Sequence, residues 1–350
     1  MKAQLILENG IRFTGEMFGY YNDIAGEVVF STGMGGYQES LTDPSLAGQI
    51  VTMTFPLVGN YGINLEDNES DHAWLKALIV REKCDTPSNF RNEMNLNDFL
   101  KEEKVVGLEG IDTRALTRVL RDNGTMKGVI MRGEPTDESV KSLMNAPDSQ
   151  NYIMQTTTKT AYTLNENGKT HVAVIDLGTK KSILERIAMR DCKLTVFPAD
   201  TKPEDIEAVN PDTVFVSSGA GTPDDAAEIV KTVKALIGKY PIGGICMGHI
   251  VIGLALGCKA KKMKFGHHGE NHPVKDTQTG KIYISSQGHD YTLCDLPDDV
   301  EQTFVNVNDG TCEGIKHKTL PVMSFQFHPE AAPGPLDSAA LFDRFFKEVK

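Results

Sequence analysis

The segment Pro241–Ile250 constrains the fold of this chain more than any other, because it combines a strand, a tight glycine turn and the start of a helix. An apolar run before the turn predicts a short buried strand, and Ile250–Leu256 predicts a helix. The turn reads GICMG, which is the thiol form of the G-x-S-x-G nucleophile elbow. We expect Cys246 at the start of the helix, where the helix dipole and free N–H groups favour the thiolate. A buried structural cysteine in a glycine-rich turn is the alternative.

A second segment supplies partners for this cysteine. Val322–Phe327 predicts a strand that runs into a His-Pro-Glu tripeptide. Residues two apart in an extended segment point the same way, so Glu330 can orient the ring of His328. His328 can then act as the base that keeps Cys246 ionised. The tripeptide alone is a weak signal, but together with the elbow it predicts a catalytic triad.

Length and pattern predict an α/β protein of two domains. A chain of 350 residues is long enough to bury two cores. Residues 1–150 mix strand and helix signals and predict a smaller, mixed α/β domain. Residues 151–170 are polar and aperiodic, which predicts a linker. Residues 171–350 alternate apolar strands with helices, which predicts a doubly wound, mostly parallel sheet that carries the elbow.

The predicted elements follow the hydrophobic pattern. Apolar runs predict strands at 3–7, 11–15, 27–31, 49–54, 126–131, 172–177, 193–197 and 213–217. Periodicity and capping residues predict helices at 96–103, 112–123, 180–190, 202–209, 224–237 and 338–349. From residue 281 onward short strands take over, until the last of these helices closes the chain.

Composition bears on partners and location. The net charge of -12 argues against binding to nucleic acid or to an anionic membrane. The short positive run Lys259–Lys264 is more typical of a solvated strand or loop. Six cysteines without a CxxC pattern suit a reducing cytoplasm better than a disulfide framework. The N-terminus predicts a strand pair rather than a signal peptide, and the most apolar window, Ile242–Cys258, is too short to span a bilayer.

Several motifs resemble a known family. The segments GICMGH, KFGHHGENHPVKD, SSQGHDY and SFQFHPEAAPGP closely resemble the class I, triad-type glutamine amidotransferases. The N-terminal segments STGMGGYQESLTDPSLAGQIVTMTFPLVGNYG, SNFR and GIDTRALTR resemble the small, glutamine-hydrolysing chains of carbamoyl phosphate synthetases. The resemblance runs from Lys2 to about Phe346. It implies an enzyme that hydrolyses L-glutamine, with Cys246 as nucleophile and His328 and Glu330 as its partners.

The same chemistry predicts an oxyanion site. In parallel sheets the active site lies beyond the carboxyl ends of the strands, where the SGAGT loop follows a strand beside the elbow. Attack on an amide creates an oxyanion that needs fixed N–H donors. The N–H of Met247 is one donor, and Gly219 can offer the other. The family's loop commonly reads NGPG, so Gly219 and Gly221 both match it. An ordinary glycine-rich turn is the alternative.

The resemblance also implies residues that bind glutamine. The family's serine at the position of Ser45 helps to bind the substrate, whereas the residues alone favour a turn stabilised by the hydroxyl. The family's elbow continues Gly-His-Gln with a substrate-contacting glutamine, where this chain has Ile250. The family's substrate loop commonly reads Gln-Asn-His-Gly plus an aromatic residue, where this chain reads QGHDY. Backbone contacts at Gly288, Asp290 and Tyr291 are still expected.

These departures predict intact chemistry with a weakened glutamine pocket. A hydrogen bond lost at Ile250 costs on the order of 1–3 kcal/mol. Asp290 either repels the substrate carboxylate or points into solvent.

Neither a metal nor a nucleotide is expected on this chain. His267, His268 and His272 match no standard zinc spacing and predict a hydrogen-bonded structural loop. Gly33–Gly36 lacks the GxxxxGK[ST] pattern of a phosphate-binding loop. The resemblance implies a heterodimer with a large synthetase chain that binds ATP, Mg²⁺ and bicarbonate. The carbamoyl phosphate produced would feed arginine and pyrimidine synthesis.

Two other functions remain open. Ile250 and Asp290 favour a non-catalytic docking subunit of an ammonia-dependent synthetase, whereas an intact triad opposes it. A stand-alone triad amidase or γ-glutamyl hydrolase is the other possibility, and the N-terminal domain opposes it.

Overall fold

The computed structural model describes residues 1–148 and 150–348. The chain divides into two compact units, Met1–Gln150 and Asn151–Lys350. Within the described residues, no helix combines the length and the apolar character needed to cross a bilayer.

The first unit is built on a closed sheet. Its strands are β1 (Lys2–Leu7), β2 (Arg12–Gly19), β3 (Ile24–Ser31), β4 (Gln49–Met53), β5 (Leu57–Val58), β6 (Ala77–Ile79), β7 (Glu82–Lys83), β8 (Val106–Glu109) and β9 (Met126–Arg132). Its helices are α1 (Tyr37–Leu41), α2 (Leu96–Glu102), α3 (Thr113–Asn123) and α4 (Asp137–Met144). Seven strands close in the order β1-β2-β8-β6-β4-β3-β9, with β9 pairing back to β1. The predicted hairpin is present as the antiparallel pair of β1 and β2.

The second unit is built on one ten-stranded sheet. Its strands are β10 (Tyr162–Leu164), β11 (Thr170–Leu177), β12 (Cys192–Pro198), β13 (Thr213–Gly219), β14 (Ile242–Ile245), β15 (Lys259–Asp276), β16 (Ile282–Cys294), β17 (Val300–Asn306), β18 (Cys312–His317) and β19 (Val322–Phe325). Its helices are α5 (Tyr152–Thr156), α6 (Lys181–Ala188), α7 (Pro203–Ala208), α8 (Ala227–Leu236), α9 (Met247–Ala255) and α10 (Leu341–Glu348). The sheet order is β10-β12-β11-β13-β14-β19-β18-β17-β15-β16.

Helices cover both faces of the parallel part of this sheet, as predicted. Strands β12, β11, β13, β14 and β19 run parallel to one another. Along β11, Val172 and Val174 belong to one buried cluster with Ile183 of α6. Ala173 belongs to another cluster, which contains residues of α8 and α9. Alternate residues of one strand therefore enter two cores, which is the packing of a doubly wound sheet.

Several sequence predictions differ from the structure. The predicted linker contains α5 and also β10, which pairs antiparallel with β12. The histidine-rich segment and the QGHDY segment, both predicted as loops, lie inside the long strands β15 and β16. These strands carry many polar residues, so their sequence shows no apolar alternation. The closing helix begins at Leu341 rather than at residue 338, and residue 349 lies outside the described residues.

Candidate active site

The elbow has the predicted strand-turn-helix geometry. Cys246 stands between β14 and α9, with φ 56° and ψ -110°. This is a strained conformation for a residue with a side chain, of a kind that costs about 1–3 kcal/mol and clusters at functional sites. The helix begins at Met247, directly after the cysteine and earlier than the sequence predicted. Cys246 is only 3% exposed, and its N–H donates to the carbonyl of Phe325 at 2.9 Å.

The two elbow glycines are required by contact with the neighbouring strand β13. A Cβ atom on Gly248 would lie 2.1 Å from the carbonyl oxygen of Val216, and one on Gly244 would lie 2.8 Å from the same atom. Backbone atoms at these distances cannot give way as a flexible side chain can. The glycines therefore let α9 begin close against the sheet, which fixes the position of Cys246.

The predicted base and its orienting carboxylate are paired. Nδ1 of His328 lies 2.6 Å from Oε1 of Glu330, and both side chains are buried. The backbone N–H of His328 donates to the backbone carbonyl of Ser286 on β16 at 2.9 Å, which anchors the segment after β19. Because β14 and β19 are parallel neighbours, Cys246 and His328 both follow carboxyl ends at the same edge of the sheet.

The charges of the site favour an ion pair between a protonated His328 imidazole and the Glu330 carboxylate. Burial opposes the charged imidazole, but the negative charges of Glu330 and of the Cys246 thiolate outweigh it and raise the pKa of His328. Burial likewise opposes the charged carboxylate, but His328 and Lys180 outweigh it and lower the pKa of Glu330. A charged imidazole beside Cys246 stabilises the thiolate form that attacks a carbonyl carbon.

Lys180 is a member of this site that the sequence reasoning missed. Its ammonium lies 2.8 Å from Oε1 of Glu330, and its side chain is only 2% exposed. Lys180 precedes α6 and follows β11, so it stands at the same carboxyl edge of the sheet as Cys246. A lysine just past the end of an apolar strand is the sequence signal that could have identified it.

The predicted oxyanion donors flank the cysteine. Gly219 ends β13, the strand beside β14, and Met247 is the first residue of α9. A Cβ on Gly219 would lie 2.1 Å from the carbonyl oxygen of Leu177, so contact with β11 explains this glycine. Gly221 has a φ of +86°, which favours glycine. Free N–H groups at a helix start can stabilise an oxyanion.

The predicted substrate residues of the second unit lie in different surroundings. Sγ of Cys246 lies 3.6 Å from the carbonyl oxygen of Gly288, which brings β16 next to the cysteine. Oδ1 of Asp290 lies 2.9 Å from Nε2 of His268, and its side chain is 12% exposed. The expectation that Asp290 points into solvent is therefore wrong. Ile250 is 2% exposed within an apolar cluster that also packs against Tyr291.

Ser45 lies in the first unit, in a short 3-10 helix, Pro44–Leu46. Its N–H and its hydroxyl both donate to Oδ1 of Asp43, at 2.9 and 2.7 Å. The residue thus makes a turn, as its sequence context predicts, although the hydroxyl bonds a side chain rather than the backbone.

His267 of β15 and His289 of β16 belong to a buried hydrogen-bond network. Nitrogen atoms of His267 and His289 and an oxygen of Glu313 lie within 4.8 Å of one another, a grouping that metal ions also use. His267 faces Asp309 at 2.9 Å, and His289 faces Gln287 and a backbone carbonyl. Burial lowers the pKa of His289 well below its usual value. The prediction of no metal here stays a prediction.

Comparisons with known proteins agree with the two units. Residues 5–130 match the family described as carbamoyl-phosphate synthase small chain, CPSase domain. Residues 173–348 match the family described as glutamine amidotransferase class-I.

Full-length relatives match both units at once. The carbamoyl phosphate synthase small chain of Clostridium perfringens is 53% identical over 99% of this chain and 99% of that protein. The carbamoyl phosphate synthase pyrimidine-specific small chain of Bacillus subtilis is 45% identical over 100% of this chain and 96% of that protein. The identity therefore extends over both units.

Proposed function

Because this chain belongs to the family of carbamoyl phosphate synthase small chains, we propose that it hydrolyses L-glutamine through a thioester on Cys246 and passes the ammonia to a large synthetase chain. The observation that carries the proposal is the buried pair of His328 and Glu330 at the same sheet edge as the strained Cys246.

The first half of the reaction forms the thioester. The Cys246 thiolate attacks the side-chain amide carbon of glutamine, and a carbon–sulfur bond forms. The N–H groups of Met247 and Gly219 stabilise the oxyanion. The carbon–nitrogen bond then breaks, and the imidazolium of His328 donates its proton to the departing nitrogen, which leaves as ammonia. Glu330 holds the imidazole in position.

The second half releases glutamate. Neutral His328 removes a proton from water, and the resulting hydroxide attacks the thioester carbon. The carbon–sulfur bond breaks, and its electron pair returns to Cys246 as the thiolate. The imidazolium is thereby restored, so the buried ion pair exists again at the start of the next cycle.

Substrate recognition follows from the residues that the family resemblance assigns. Ser45, Gly221, Gly288, Asp290 and Tyr291 would contact glutamine, the last three through backbone groups. Support is strongest for Gly288, whose carbonyl oxygen faces the Cys246 sulfur. At Ile250 an apolar side chain replaces the hydrogen-bonding group of the family.

The ammonia needs an acceptor. We propose a heterodimer with the large synthetase chain, which would bind ATP, Mg²⁺ and bicarbonate, while this chain would need no cofactor.

The carbamoyl phosphate would serve arginine and pyrimidine synthesis; the Bacillus subtilis relative carries a pyrimidine-specific name. The six cysteines are free, four of them buried, which favours work in the cytoplasm.

A docking subunit without glutaminase activity is the second candidate. Ile250 favours it, because an apolar residue offers glutamine no hydrogen bond at that position. The buried charges around Oε1 of Glu330 oppose it, because Lys180 and His328 both contact that oxygen. Such a costly group of charges is retained when it has chemistry to perform.

Trapping the intermediate separates the two candidates. The chain is mixed with L-glutamine, quenched in acid within one turnover, and digested for peptide mass spectrometry. We expect a glutamyl adduct on the peptide that contains Cys246, in the unaltered chain and in the control Cys294→Ser. The absence of any adduct at saturating glutamine would contradict the thioester mechanism and favour the docking role.

A further inference from the structure

A groove of about 610 Å³ in the first unit is lined by arginine and threonine side chains. Three of the arginines, Arg114, Arg118 and Arg121, lie on α3, and Arg81 follows strand β6. Among the residues that the structure describes, no acidic side chain lines the groove, although the chain carries a net charge of -12. The groove is thus a local concentration of positive charge on an acidic protein.

The charges of the groove are largely unneutralised within the unit. Arg121 pairs with Asp122 at 2.9 Å. Among residues 1–148, no carboxylate forms an ion pair with Arg81, Arg114 or Arg118. Like charges held close together repel one another, so such a cluster favours an external anion.

The scaffold beneath the arginines is rigid. Leu116 and Leu120 of α3 are fully buried in the core of the unit. The side chain of Asp112 caps the helix by accepting a hydrogen bond from the Ala115 N–H at 2.9 Å. The opposite face of the helix therefore presents its arginine residues at the regular spacing of the helix backbone.

The spacing indicates the shape of the anion. Arg114, Arg118 and Arg121 are four and three residues apart, so they lie on one face of α3. They extend over about 10 Å of helix axis, at 1.5 Å per residue. A single phosphate group spans only part of such a row, whereas successive carboxylates along a peptide can meet each guanidinium in turn.

We infer that this arginine groove docks an acidic segment of the large synthetase chain. The inference rests on the proposed function, which requires a partner that receives ammonia. Arginine forms forked pairs with carboxylates and is enriched at the centres of protein interfaces. Complementary charge of this kind speeds association and fixes the register of two chains.

The test compares two charge-reversed forms of the full-length chain. Arg114→Glu/Arg118→Glu removes the groove charge, and Lys141→Glu/Lys234→Glu makes the same change in net charge on exposed helix positions elsewhere. The dissociation constant with the large chain is measured by titration calorimetry at low and moderate salt. Glutamate release by the free small chain is measured in parallel, and it stays unchanged in both variants.

The inference predicts that the arginine variant binds at least about tenfold more weakly than the lysine control, with a smaller dependence on salt. Equal affinities for the two variants would overturn it and leave the glutaminase proposal intact. Binding of ATP to the free small chain that is lost only in the arginine variant, with the complex unaffected, would also overturn it. Failure of the unaltered chain to bind the large chain would contradict both this inference and the proposed function.

Discussion

The Lys180 ammonium lies 2.8 Å from Oε1 of Glu330, and the two side chains are 2% and 0% exposed. The same oxygen lies 2.6 Å from Nδ1 of His328. Lys180 is thus linked to the His328 imidazole through the Glu330 carboxylate. This makes Lys180 a positioning residue in the proposed mechanism. Its positive charge also helps to keep the Glu330 carboxylate ionised.

Replacing Lys180 by methionine tests that dependence. Removing one partner of a buried ion pair leaves an uncompensated charge and costs about 3–5 kcal/mol. We expect Lys180→Met to lower the unfolding temperature and to lower kcat at least about tenfold, with little change in KM for glutamine. The control is Lys181→Met, whose side chain is 54% exposed and pairs with Glu185 on the surface. An unaltered kcat in the folded Lys180 variant would exclude the positioning role.

Replacing Glu330 by glutamine tests the electrostatic coupling. An ordinary histidine titrates near pH 6.5. Glu330 and the Cys246 thiolate raise the pKa of His328, so its imidazolium persists above that pH. The stability that the charged His328 contributes is fully present below the ordinary histidine pKa and is lost as pH rises through the raised pKa. Without the carboxylate charge the pKa of His328 falls. We expect the alkaline limb of the kcat profile for glutamine hydrolysis to move to lower pH.

The pH dependence of the stability contributed by Glu330 has the opposite sign. Its pKa is lowered, so the stability it contributes is present above the ordinary carboxylate range and is lost as pH falls through the lowered value. Acid unfolding of the Glu330→Gln variant is expected to depend less on pH in that range. An alkaline limb at the same pH in the variant and the unaltered chain would contradict the coupling.

Replacing Gly248 by alanine tests the elbow. The added methyl group would lie 2.1 Å from the carbonyl oxygen of Val216, so the strand or the helix must move. Overpacking of this kind costs about 1–3 kcal/mol, and we expect the free energy of unfolding and kcat both to fall. Gly35→Ala is the control, since a Cβ there meets no atom within 4 Å. Equal chemical denaturation curves for the two variants would show that the elbow tolerates the methyl group.

Replacing Ile250 by glutamine tests the glutamine pocket. A regained hydrogen bond to a buried polar ligand is worth about 1–3 kcal/mol, so we expect KM to fall about tenfold or more. Stability should fall as well, because Ile250 is packed in an apolar cluster. Ile252→Gln, a fully buried site on the same helix, should cost stability without lowering KM. A KM that does not fall in Ile250→Gln would remove this position from the account of affinity.

The sequence revealed the elbow and the His-Pro-Glu segment because each depends on local rules. Glycines around Cys246 and a two-residue spacing between His328 and Glu330 are visible within a few positions of one another. Lys180 was missed because it is far from Glu330 along the chain, and only the parallel strand order brings the two together.

The full length of strands β15 and β16 was missed for a different reason. Strand β15 consists mostly of polar residues and glycine, which do not show the apolar and polar alternation that indicates a strand. Some of its polar side chains pair with residues of neighbouring strands, as His268 does with Asp290 of β16. Tertiary hydrogen bonds of this kind override local propensity and leave no pattern in a single sequence.

Glutamate release from L-glutamine tests the central claim most directly, measured for the unaltered chain and for Cys246→Ser, each with and without the large synthetase chain. We predict turnover by the unaltered chain that rises when the partner is added and disappears in the variant, while free ammonia still supports carbamoyl phosphate synthesis by both complexes. No glutamate release at saturating glutamine, or equal release by Cys246→Ser, would contradict the claim that Cys246 is the nucleophile of a partner-coupled glutaminase.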